Sequence, residues 1–116
     1  RLVEALPWLL LRHEGLDVGQ LVAEAKARDL QNRLGFTVAL ARQVAERKKE
    51  FERRLPELRR LEEVLEPSRL AREETFGQGR AHERLREWLR RKRSNAARHW
   101  NLLTDLKAEH LPYASS

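Results

Sequence analysis

The densest concentration of chemically active side chains is the run Arg80–Arg98. It holds Arg80, Arg84, Arg86, Arg90, Arg91, Lys92, Arg93 and Arg98 against only Glu83 and Glu87. The rest of the chain carries sixteen cations and sixteen carboxylates, so the formal charge of +6 is localised in this run. Guanidinium groups fork onto phosphate oxygens, and a cluster of them with few carboxylates marks a polyanion surface. Such contacts supply affinity but not sequence preference. These eight side chains are the candidate nucleic-acid-binding set. The expected partner is a DNA or RNA phosphate backbone, with an acidic protein as the alternative. The bland reading is a solvated helix in an Arg-rich protein, and the lack of compensating Glu weighs against it.

No other constellation has the spacing that catalysis requires. His13, His82, His99 and His110 never place two imidazoles on one helix face beside a carboxylate, so no metal site is expected. Glu62/Glu63 and Glu73/Glu74 are adjacent pairs that point in different directions, which suits them poorly to general acid–base work. Gly77-Gln78-Gly79 lacks the preceding strand of a phosphate loop. Ser68, Ser94 and the terminal serines have no base in an evident relation. The expectation is a non-enzymatic protein with no cofactor.

One short segment offers a rival. Arg93-Ser94-Asn95-Ala96-Ala97-Arg98-His99 is similar to the Arg-x(4–6)-His pattern of the HEPN-type ribonucleases, which are also small helical domains. The resemblance covers seven residues. It implies that Arg93 and His99 act together at a scissile phosphate, with Ser94 as the polar residue that follows the Arg.

The elements that position these groups read as helices. Few residues are β-branched and no strict alternation occurs, which argues against sheet. Asp17 with Gln20 three residues on is a capping-box arrangement, so a helix starts near Val18. Leu21, Val22, Ala25, Leu30 and Leu34 carry its apolar stripe, and Gly35 is placed to end it. Phe36, Val38, Ala39, Leu40, Ala41, Val44 and Ala45 then open a central helix that is apolar on more than half its circumference. Its continuation Glu46–Arg54, charged except for Phe51, is expected to project toward water. Val22–Leu34 can also be laid over a helix-turn-helix, with Lys26–Arg28 as the turn and Ala27 near the usual glycine position. Gln31, Asn32 and Arg33 would then suit base or phosphate contacts. The competing reading is an ordinary pair of packed helices.

Elsewhere, Leu2–His13 has a strongly apolar face, kinked or started by Pro7. Leu6, Trp8, Leu9 and Leu10 form a candidate surface for a partner or a sister subunit. Pro56 predicts a helix over Pro56–Leu65 that buries Leu58, Leu61, Val64 and Leu65. Arg69–Thr75 reads as a short helix, and Phe76-Gly77-Gln78-Gly79 as an internal loop. Arg80–Lys92 is predicted to be a helix with Leu85, Trp88 and Leu89 inward. Ser94 caps a following helix over Asn95–Leu106 with Ala97, Trp100, Leu103 and Leu106 inward. Trp88 and Trp100 therefore both read as core. The expected fold is an all-α orthogonal bundle of five or six helices, with a helix-turn-helix-like pair at 17–45.

Composition sets the outer bounds. A chain of 116 residues is one domain with a modest core. It has no Cys, which excludes disulfides and thiolate metal sites. It has no Met, even at position 1, so the expectation is part of a longer chain. No apolar run approaches the ~18 residues of a membrane span, and the expected compartment is the cytoplasm. Arg outnumbers Lys 19 to 5, which fits a GC-rich bacterial genome, a thermophile's among them. Asp29–Ala41, with Arg33-Leu34-Gly35-Phe36 at its centre, resembles a segment in the C-terminal region of AbiEi-type antitoxins of bacterial abortive-infection systems. The match spans 13 of the 116 residues, and the Trp-rich C-terminal half departs from that family. The resemblance implies a regulatory or antitoxin role, with an upstream winged helix that acts as a repressor. The function expected from the sequence is a bacterial regulatory or interaction module. Its alternatives are a structural assembly domain, as a homo-oligomer, and the HEPN-like ribonuclease.

Overall fold

The computed structural model describes residues 7, 9–12, 15, 17–75 and 83–111. Among them the chain is an all-α bundle of six helices joined by 3-10 turns. The first, α1, is described over 9–12. It is followed by α2 (Val18–Ala27), α3 (Gln31–Arg47), α4 (Leu55–Leu65), α5 (Glu83–Lys92) and α6 (Asn95–His99).

Helix α2 starts where the sequence places it. The Asp17 carboxylate accepts a hydrogen bond from the Gln20 amide at 3.0 Å, satisfying one of the open donors of the first turn. Its end differs from expectation. The helix closes at Ala27, and Asp29 takes a left-handed conformation (φ 55°), a region that Asp tolerates better than most residues. The break therefore falls at residues 28–30, and Gly35 lies inside α3.

Gly35 has a packing role instead of a capping one. A Cβ built on it would meet the six-membered ring of Trp100 at 2.5 Å. Glycine is the residue that lets the buried indole lie directly on the helix backbone. Helix α3 is the axis of the fold, in contact with α2, α4, α6 and the 3-10 turns Lys49–Arg54 and Ala108–His110. Phe36, Val38, Leu40, Ala41, Val44 and Ala45 are buried on it, as the sequence predicts. Full burial of each large apolar side chain contributes about 1.5–3 kcal/mol.

The segment after α3 keeps Lys49, Glu50, Glu52 and Arg53 exposed, as expected, but turns Arg54 inward. Lys48 is extended, and Lys49–Arg54 is a 3-10 turn that buries Phe51 and Arg54. Arg54 donates through Nε and Nη2 to the Leu10 carbonyl at 3.0 and 2.9 Å, and its Nη1 lies 2.6 Å from Glu57. The guanidinium thus satisfies the backbone of α1 while a carboxylate balances its charge, which makes burial tolerable. Helix α4 begins with Pro56 in its first turn. It buries Leu58, Leu61 and Leu65, but Val64 is 40% exposed.

Residues 69–75 are not helical. The 3-10 turn Glu66–Ser68 leads into extended backbone, and β1 (Glu74–Thr75) pairs in parallel with β2 (Leu102–Leu103), in the register Glu74 to Leu102 and Thr75 to Leu103. The predicted helix over Asn95–Leu106 accordingly stops at His99. Asn101 is left-handed (φ 57°), and Leu102 and Leu103 continue as buried strand residues.

Polar residues at the start of α3 hold the extended segment in place. Asn32 Nδ2 donates to the Leu70 carbonyl at 2.8 Å, and its Oδ1 accepts from the Leu70 amide at 2.7 Å. Gln31 Nε2 donates to the Ser68 carbonyl at 3.1 Å, and Asn101 Nδ2 also donates to Leu70 O at 2.7 Å. Gln31 and Asn32 are buried, so the base or phosphate contacts expected of them are ruled out. Arg33 lies 3.4 Å from Glu74. Helices α2 and α3 make a helical pair, and Gln31 and Asn32 within it serve internal packing.

Candidate polyanion interface

Helix α5 carries the basic run, and its buried side holds it to β2. Leu89 is its fully buried residue. The second anchor is ionic. Glu73, in the extended segment before β1, receives Arg90 Nε at 2.9 Å and Arg93 Nη1 at 3.2 Å. Arg90 Nη1 also lies 3.6 Å from Glu83. Its hydrogen bond to Glu73 raises the Arg90 pKa, a rise that outweighs desolvation and is helped by the charges of Glu73 and Glu83. Arg93 is the more buried of the two, with 12% of its side chain exposed, and its Nη1 also reaches the Leu102 carbonyl at 3.4 Å.

The eight basic residues therefore divide. Arg90 and Arg93 are committed to Glu73 and hold α5 against the extended segment. Arg84, Arg91, Lys92 and Arg98 are exposed and Arg86 is half-buried. Among the described residues, none of these five enters an ion pair. Arg80 lies outside the described residues.

Trp88 departs from its expected place in the core. It is 40% exposed, on the same side of α5 as Arg84, Arg91 and Lys92, and Leu85 one turn earlier is 37% exposed. Three apolar residues in a short helix suggest a buried stripe, but only Leu89 is turned fully inward. The aliphatic stems of Arg86 and Arg90 take the remaining half-buried positions. No sequence signal separated these outcomes, because the arginines of 90–93 point in every direction round the helix.

Arg93, Ser94 and His99 each make a contact of their own. Arg93 faces Glu73, the Ser94 hydroxyl accepts from the Ala97 amide at 3.1 Å as a helix cap, and His99 Nε2 contacts Glu66 Oε1 at 2.6 Å. His99 also stands edge-on to Trp100, with ring centroids 5.2 Å apart. Each of the three already has its own structural partner.

Of the candidate partner surface, Leu6 and Trp8 lie outside the described residues. Leu10 is buried in the core beside Leu11 and cannot serve as a surface contact, whereas Leu9 is 46% exposed. Among the described residues no group of His, Cys, Asp and Glu could hold a metal ion, and no helix is long and apolar enough to cross a membrane. Comparison of the chain with protein-family models, curated proteins and solved structures finds no match.

Proposed function

We propose that this domain is a non-enzymatic regulatory or interaction module whose α5–α6 surface binds the phosphate backbone of nucleic acid. The observation that carries this reading is the division of the basic run. Glu73 takes up Arg90 and Arg93, while Arg84, Arg91, Lys92 and Arg98 stand in solvent without a carboxylate partner among the described residues. Like charges held close on one short helix repel one another, and a polyanion relieves that repulsion while releasing its counterions.

The test is binding of labelled duplex DNA and RNA across a salt series. Four phosphate contacts give a slope of log K against log salt of roughly −3 to −4. Replacing Arg84, Arg91 and Lys92 together by Gln leaves the Glu73 contacts intact and is expected to bring that slope to about −1. Flat, negligible binding by the unaltered domain to both nucleic acids would sink the reading. The charge-reversal variants to avoid are those at Arg90 and Arg93, which would also detach α5.

A further inference from the structure

Trp88 has no evident purpose in a surface that only neutralises phosphates. An indole left 40% exposed forgoes much of the gain from burying a large aromatic side chain. At about 100° per residue, Arg84, Arg91 and Lys92 all project within about 60° of Trp88 on α5. The ring thus sits between one cation a turn before it and two a turn after it. Leu85 falls within the same arc and widens the apolar platform. Glu87 is exposed beside Arg91, so the arc carries three cations with one carboxylate at its edge.

We propose that this face takes single-stranded nucleic acid, with an unpaired base stacked on Trp88 and the flanking phosphates on Arg84, Arg91 and Lys92. The inference rests on the phosphate-binding reading above and adds the class of strand. In a duplex the base faces are covered by their own neighbours, so an indole on a convex helix finds nothing to stack on. An unpaired strand presents both partners, a π-face for the ring and phosphates for the cations, without any base-edge readout. Charge complementarity favours this occupant over a protein, whose matching surface would need several carboxylates around one apolar pocket.

The experiment measures anisotropy of labelled oligo(U), oligo(dT) and a duplex of equal length, using the domain, Trp88→Ala and Trp88→Phe. The unaltered domain is expected to bind at least one single strand more tightly than the duplex, and the tighter of the two identifies RNA or DNA as the source. Trp88→Ala should weaken that binding by about tenfold, because loss of one base–aromatic stack costs that much or more. Its salt slope should stay unchanged, since the cations remain. Trp88→Phe should keep most of the affinity. Thermal melts by circular dichroism check that the exposed substitution leaves the fold intact. Equal affinity of Trp88→Ala and the unaltered domain would overturn the stacking proposal and make the indole a protein contact. Duplex binding as tight as strand binding would overturn it too, and in both cases a steep salt slope leaves the phosphate-binding reading standing. Salt-insensitive, negligible binding to all three probes overturns both.

Discussion

At the scale of single residues, the two helical glycines have opposite meanings. Gly35 is where Trp100 reaches the backbone of α3, and any Cβ there stands 2.5 Å from the ring. Gly19 in α2 has only the Asp17 carboxylate nearby, at 3.7 Å, an ordinary contact. Alanine is the better helix former by about 1 kcal/mol in both places. Chemical denaturation should therefore show Gly19→Ala stabilising the domain by about 0.5 kcal/mol, and Gly35→Ala destabilising it by about 1–3 kcal/mol through overpacking. A stabilising Gly35→Ala would show that the indole does not lie where the structure puts it. The buried polar residues follow the same logic of local fit. Asn32 uses one donor and its acceptor on Leu70, which offers the complementary pair, so the side chain acts as a short length of strand.

At the scale of elements, α5 is a helix held by few contacts. Its mean composition is strongly polar, one residue is fully buried, and a carboxylate clamps two of its arginines. The Glu73 clamp is only partly exposed and engages two guanidinium groups at once, which makes it worth more than a single surface pair. Glu73→Ala is expected to raise amide hydrogen exchange along α5 by about tenfold, while the amides of α3 exchange as before. Uniform acceleration across both helices would mean that α5 opens only with the whole core. The parallel β1–β2 contact explains why the elements on either side of it were shorter than periodicity suggests. Leu102 and Leu103 pair with Glu74 and Thr75 as extended backbone, which a helix continuing through Leu106 could not offer, and both of their side chains are buried.

At the scale of the whole molecule, one helix organises the rest. Because α3 touches α2, α4, α6 and two of the 3-10 turns, these elements have no separate cores to unfold around. Far-ultraviolet circular dichroism and tryptophan fluorescence of the Trp8→Phe/Trp88→Phe double variant, which leaves the buried Trp100 as the one tryptophan, should follow one coincident thermal transition. Two separated transitions would divide the core.

The sequence by itself determined the helical class, the central apolar helix Phe36–Ala45, the caps at Asp17 and Ser94, the start at Pro56 and the localisation of charge. All of these are local properties, set by periodicity, capping chemistry and composition over a turn or two. Only the tertiary structure decided that Gly35 is a seat for Trp100, that Arg54 belongs inside with Leu10 and Glu57, and that residues 69–75 are extended. It alone separated the committed cations Arg90 and Arg93 from the free ones, and turned Trp88 outward. The physical reason is common to these cases. Apart from Glu57, three positions from Arg54, the partners lay 17 to 65 positions away, and nothing in a side chain's own neighbourhood distinguishes a buried, satisfied guanidinium or indole from one left facing water.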